Sequence, residues 1–281
     1  MHLCIVGLGL IGGSLAVDLK QRGFATLVTG VEARPEHAAR ALERGLADRV
    51  APLREAVAEA DLIILSTPID SIKALLPGLL DQVGGSRKVV TDMGSTKAGM
   101  GRLVKDHPHR RHYVAAHPMA GTEHSGPEAA HSGLFDHKCA IICDPEQSGE
   151  WALQAVNRMF DVLHMPVITM DADEHDVSAA YVSHISHISS FALSLCVLEK
   201  ERSQKRLLSL AGGGFSSTVR LAKSSAETWV PVFEQNAGFV LEVLDTYIDK
   251  LQQFRSHIME NNREGLYELI VQANRIKKIL K

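Results

Sequence analysis

The sequence predicts an α/β protein in two parts, a doubly wound, mainly parallel sheet over residues 1–168 followed by an all-helical domain over residues 169–281. Three observations predict it. Short apolar β-type runs alternate with helical patterns from Met1 to about Pro166, as in a parallel sheet with crossover helices. A glycine-rich loop joins the first run to the first helical pattern. From about Asp171 the β-type runs cease, and long helical stripes continue to the C-terminus. A chain of 281 residues, 45% of them apolar, can bury a real core.

The strand candidates are Leu3–Val6, Leu27–Val31, Leu62–Ser66, Lys88–Thr91, Tyr113–Ala116 and Ala140–Cys143. Between the first two, Ile11, Leu15 and Leu19 recur every four residues and give one buried helical stripe. Gly7-Leu8-Gly9-Leu10-Ile11-Gly12 follows a strand and opens that helix, and Glu32 ends the next strand, twenty positions beyond Gly12. In that setting the run is a dinucleotide fingerprint and the sheet is Rossmann-type. Gly7 makes the tight turn, Gly9 lets the backbone approach the pyrophosphate, and Gly12 lets helix and strand pack closely. The helix N-terminus, with Leu10 and Ile11 in its first turn, offers free N–H groups to the phosphates. Glu32 can accept hydrogen bonds from the ribose hydroxyls and would repel a 2'-phosphate, which favours NAD. Arg34 could bind that phosphate, so NADP stays open. Thr67 and Pro68 follow the strand after which such folds turn past the dinucleotide, although a Pro-initiated helix start explains them equally well.

In the second part, Tyr181, Ile185, Ile188, Ala192 and Leu195 form one stripe on a helix of some twenty residues. Phe239, Val243, Tyr247, Leu251, Phe254 and Ile258 form a second, and Leu266, Ile270, Ala273, Ile276 and Leu280 a third. Few turns are left for these stripes to cover one another, so burial against a second copy, a homodimer, is expected.

The formal net charge of -3 and the absence of a basic block exclude nucleic acid and anionic membrane surfaces as expected partners. Cys4, Cys139, Cys143 and Cys196 are scattered, so buried thiols in a reducing, cytoplasmic setting are expected rather than a disulfide framework. The apolar N-terminus lacks the basic n-region of a signal peptide, and glycines run through it. Apolar stretches are broken short of the roughly 20 residues a bilayer needs, so no membrane span is expected.

Three further segments carry chemistry: Thr91-Asp92-Met93-Gly94-Ser95-Thr96-Lys97, His117-Pro118-Met119-Ala120-Gly121-Thr122, and Ser183-His184-Ile185-Ser186-His187. The first two follow strand candidates, where open parallel sheets bind ligands. His117, ending a strand before a Pro, can be a proton acceptor with a pKa near the working pH, though a lone His is more often structural. Ser95 can orient a substrate hydroxyl or simply cap a helix. His184 and His187 stand three apart on one helix, so both can face a cleft. A metal held by them with Glu174 or Asp176 is the weaker reading, since no motif of known geometry is present.

These segments resemble those of prephenate/arogenate (cyclohexadienyl) dehydrogenases, together with Gly212-Gly213-Gly214-Phe215, Arg220 and Trp229, over nearly the whole chain. The resemblance implies an oxidoreductase of tyrosine biosynthesis that converts prephenate to 4-hydroxyphenylpyruvate by hydride transfer to NAD, without a metal. It implies that His117 accepts the proton of the ring hydroxyl, that Ser95 holds that hydroxyl, and that Arg220 binds the ring carboxylate. His187 and His184 would line the substrate side, with Thr122 in the same motif as His117, and Trp229 would reach the partner's active site. Ser216 and Ser217 stand where some relatives carry a Lys and an Asp, so an ion-pair gate involving Glu123 is not carried over. Arogenate with NAD or NADP is the alternative substrate. A decarboxylating β-hydroxyacid dehydrogenase would need a G-x-x-x-K helix that the second part lacks, and a non-catalytic NAD-binding dimer would need no Ser95, His117 and Arg220 together.

Overall fold

The computed structural model describes residues 1–204 and 206–279; Leu280, the last position of the third stripe, lies outside them. The first strand, β1 (His2–Val6), is almost wholly buried and leads into α1 (Leu10–Gln21), which returns the chain to β2 (Leu27–Val31), parallel to β1. Leu15 and Leu19 of the expected stripe are fully buried, and Ile11 is half-buried. After α2 (Pro35–Glu43), a two-residue β3 (Arg49–Val50) closes one edge. The chain then crosses through α3 (Leu53–Glu59) to β4 (Leu62–Leu65) on the other side of β1, followed by α4 (Ile69–Val83), β5 (Val89–Asp92), α5 (Ala98–Val104) and β6 (Tyr113–Pro118).

The eight strands run in the order β3-β2-β1-β4-β5-β6-β7-β8. The order reverses between β1 and β4, which opens a crevice at their C-terminal ends. Apolar layers on both faces form the core, one around Leu3, Ile5, Leu15 and Phe160 and the other around Ile63, Leu76, Val90 and Tyr113. β7 (Ala140–Cys143) pairs antiparallel to β6, and after α6 (Glu150–Val162) the edge strand β8 (Val167–Met170) pairs parallel to β7. β3 and β8 were not expected from the sequence. One is only two residues long, and the other is half-exposed and lacks a continuous buried run.

The helical part begins with α7 (Ala172–Ala179), a π-helical turn at Ala180–His184 and α8 (Ile185–Glu201). Together they make one helix of 30 residues with a window of mean hydropathy 1.3, long and apolar enough to cross a membrane by length and composition, contrary to the expectation above. This helix is nevertheless tied into the sheet domain: the Asp176 carboxylate accepts the backbone N–H groups of Lys97 and Ala98 at 2.8 and 2.9 Å, capping the start of α5. Two short helices follow, α9 (Gly213–Thr218) and α10 (Ala226–Gln235). By internal contacts the chain divides into two units, Met1–Asn236 and a second beginning at Ala237. The second holds α11 (Ala237–Met259) and α12 (Arg263–Ala273), whose start is capped by Asn262 Oδ1 on the Gly265 N–H at 2.9 Å. Within it only Val240 and Val243 are buried among the described residues, while Leu251, Ile258, Tyr267 and Ile270 are exposed.

Candidate active site

At the end of β1 the backbone turns sharply at Gly7, whose φ of +90° favours a residue without Cβ. Its N–H donates to the Val31 carbonyl at 2.8 Å, joining the turn to β2. A Cβ at Gly12 would run into the Gly7 carbonyl oxygen and Ser66 Oγ, so helix α1 sits against the turn only because that side chain is missing. Gly9 is different: the nearest atom to a Cβ there is the Gly126 nitrogen at 4.0 Å, which leaves its outer side open. Among the described residues no side chain caps helix α1, and its first turn holds no acidic residue, so its first N–H groups can meet an anion. Glu32 accepts the Leu8 N–H at 3.1 Å and the Arg34 N–H at 3.2 Å, which fixes its carboxylate beside the loop. Thr67 Oγ1 is buried without a partner among the described residues. An uncapped helix start, an open glycine and an orphaned hydroxyl fit a dinucleotide.

The loop after β5 is held from beneath. The buried Asp92 carboxylate takes the Lys97 ammonium, the Gly94 N–H at 2.9 Å and the Tyr113 hydroxyl at 2.6 Å. Asp92 and Lys97 are fully buried, and a buried ion pair is tolerable only with such extra hydrogen bonds. This pair clamps the turn that presents Ser95. On the next strand, β6, His117 directs Nδ1 at His175 Nε2, 2.9 Å away. Burial, with His175, Lys97 and His184 nearby, holds His117 well below the ordinary imidazole range, lower than its position suggested from sequence.

The long helix contributes Ser183 and His187. His187 Nδ1 donates to the Ser183 carbonyl at 3.1 Å, and its ring stacks on Trp229 of the same chain with centroids 3.4 Å apart. Trp229 thus lines the cleft of its own chain. His184 departs from expectation. It is buried, bonded through Nδ1 to the Asn236 side-chain amide at 3.1 Å, and does not line the cleft. Positions three apart differ by about 60° around a helix, enough to send one ring inward and the other to the cleft. Arg220, half-exposed, pairs with Glu123 at 2.6 Å, so Glu123 has an ionic partner although Ser216 and Ser217 offer none.

A cleft of about 740 Å³ brings these groups together. Gly7, Gly9, Leu10, Ile11 and Glu32 line one side, with Arg34, Thr67 and Pro68 beside them. Ser95, His117, Thr122, His187, Arg220 and Trp229 line the rest, and Gly12 lies behind the wall. Residues 15–169 match the family model described as prephenate dehydrogenase, nucleotide-binding domain, and residues 171–272 match prephenate dehydrogenase, dimerization domain. The chain belongs to the prephenate dehydrogenase family. This membership assigns it an NAD-dependent dehydrogenase activity on a Rossmann-type domain followed by a helical one.

Among its relatives, the prephenate dehydrogenase of Bacillus subtilis is 28% identical over 271 residues, covering 94% of this chain and 72% of that protein. The cyclohexadienyl dehydrogenase of Zymomonas mobilis is 28% identical over 286 residues, covering 100% and 96%. The crystal structure of Aquifex aeolicus prephenate dehydrogenase in complex with hydroxyphenyl propionate and NAD+ superposes with a TM-score of 0.87 at 26% identity, covering 100% of this chain and 98% of that one. Sequence reasoning missed the clamp made by Asp92, Lys97 and Tyr113, and it read Asp176 only as a possible metal ligand. Asp92 and Lys97 lay inside a motif already singled out, while Tyr113 was read only as a strand residue; nothing in the sequence flagged His175.

Proposed function

We propose that this family member oxidises and decarboxylates prephenate, and that the work is done by residues the cleft gathers: His117 as base, Ser95 on the ring hydroxyl, Arg220 on the ring carboxylate, and His187, Thr122 and Trp229 around the side chain. The observation that carries the reading is that Ser95, His117 and Arg220 open on the same cleft as the Gly7–Gly9 loop. NAD, when bound, accepts the hydride. The chain's part is to position the carbinol and take one proton as that hydride leaves; loss of carbon dioxide then makes the ring aromatic. A planar guanidinium matches a carboxylate, and here it would exchange Glu123 for the substrate. The same Glu123 is the feature that favours the second reading, arogenate, whose ammonium a carboxylate in the cleft would attract. We assign residues 1–168 to the dinucleotide and 169–281 to substrate and dimerisation, with a cytoplasmic homodimer as the working form; the exposed Leu251 and Ile258 on α11 support a covered face there.

Initial rates with prephenate and arogenate, each with NAD and NADP, test the substrate, and His117→Asn tests the base. The expected result is a kcat about 100- to 10,000-fold lower in the variant, with substrate binding little changed. Arg220→Ala should act chiefly on KM. A His117→Asn enzyme within a few-fold of the parent kcat would make His117 structural.

A further inference from the structure

Behind His117 lies a chain of buried groups that a lone base would not need. His117 Nδ1 meets His175 Nε2 at 2.9 Å, and His175 Nδ1 meets Asp176 Oδ1 at 2.7 Å. His175 and Asp176 are almost wholly excluded from solvent. The Asp176 carboxylate is fixed in turn by the Lys97 and Ala98 N–H groups, so its place is set by the same loop that carries Ser95. The order of these contacts decides where protons sit. A carboxylate only accepts, so the hydrogen between Asp176 and His175 is on His175 Nδ1. A neutral His175 then has its lone pair on Nε2, and the hydrogen shared with His117 must come from His117 Nδ1. His117 Nε2 is left with a free lone pair and has no protein hydrogen-bond partner among the described residues.

We propose that His175 and Asp176 are positioning residues for the reaction: the Asp176–His175–His117 chain locks the Nδ1–H tautomer of His117, so that Nε2 is the atom that accepts the substrate's hydroxyl proton. The inference rests on the reading of His117 as the base. It adds that the base works only in one tautomer, and that two residues without access to the cleft select it. The chain also places the Asp176 charge two hydrogen bonds from the imidazolium that forms on His117, where it favours the charged product of proton acceptance without touching substrate. The π-helical turn at Ala180–His184 lies between this buried pair and His187, so one helix supplies both the support of the base and a wall of the cleft.

The test begins with the unmodified protein. Histidine-selective 15N NMR, with the His117 signals assigned by their loss in His117→Asn, should show Nδ1 protonated and Nε2 unprotonated at about pH 8. A His117 protonated on Nε2 would overturn the proposal without any variant of the relay having to fold. Kinetics supply the second arm. His175→Leu removes the acceptor at similar bulk and should lower kcat by about 100-fold or more, since a base in the wrong tautomer costs about 10,000-fold in the serine-protease triad. KM for prephenate and Kd for NAD should stay within about twofold, and the His117 signals should report mixed tautomers. His175→Gln, whose amide oxygen can stand at the Nε2 position, should recover most of the lost kcat. A His175→Leu enzyme with parental kcat, while His117→Asn is inactive, would refute the relay and leave His117 as the base. If His117→Asn also kept its kcat, the reading of the base itself would be what fails.

Discussion

Protonation of His184 should weaken the fold measurably in mild acid. Asn236 donates its side-chain N–H groups to the Asp176 carbonyl at 2.8 Å and to His184 Nδ1 at 3.1 Å. The first contact fixes which way the amide faces, so the second needs a lone pair on His184 Nδ1. A proton there would set N–H against N–H in a buried site. Burial is the largest reason that the His184 pKa is pushed down to about 4; Asp176 pulls it up, and His175 and His187 push it further down. In the unfolded chain the ring titrates near its ordinary value of about 6.5. Between those two values the unfolded state holds a proton that the folded state lacks, so stability is full above about pH 6.5 and is lost as the pH falls toward 4. The whole gap corresponds to about 3 kcal/mol, of which about 2 is gone by about pH 4.5. Urea unfolding followed by circular dichroism, at one protomer concentration and at about pH 7 and pH 4.5, measures the loss. His184→Asn keeps an acceptor for Asn236 and removes the titration, so its loss over the same interval should be smaller than the parent's by about 2 kcal/mol. Equal losses in parent and variant would refute the assignment of the neutral, accepting ring.

His117 is held well below the ordinary imidazole range, chiefly by burial, so the acidic limb of kcat/KM should fall below about pH 6.5; a limb at or above that value would show the base exposed in the free enzyme. Gly12→Ala would push a methyl into the Gly7 carbonyl, and fluorescence titration should show NAD binding weakened tenfold or more, about 1.4 kcal/mol, with equal affinity contradicting the close packing. Glu32, fixed by the Leu8 and Arg34 N–H groups, should give NAD a higher catalytic efficiency than NADP, and Glu32→Ser should narrow the ratio; no change would hand control of the ribose pocket to Arg34. EDTA should leave turnover unchanged, since His184 faces Asn236 while His187 stacks on Trp229, and restoration by zinc of an activity lost to EDTA would contradict that.

What could be read from the sequence follows how local each feature is. The glycine loop was legible because its constraints, a positive φ at Gly7 and close packing at Gly12, act between residues next to one another in the chain or across a single strand–helix unit. Strands buried on both faces announced themselves as continuous apolar runs, whereas β8 at the edge did not. The T-D-x-G-S-x-K run was recognised as one motif, yet its residues separate physically: Asp92 and Lys97 turn down into a buried pair while Met93, Gly94 and Ser95 line the cleft. A pattern of residue types does not say which member touches substrate. The buried support behind His117 was invisible for a different reason. His117 and His175 lie 58 positions apart, and Asp176 reaches Lys97 across 79, so their contacts exist only once the long helix docks on the sheet. His184 and His187 look equivalent by spacing, yet the roughly 60° between them is enough to bury one ring against Asn236 and leave the other on the cleft. Local rules therefore place the cofactor loop and the strand ends. The choice of which histidine reacts, and in which tautomer, belongs to the packing between elements.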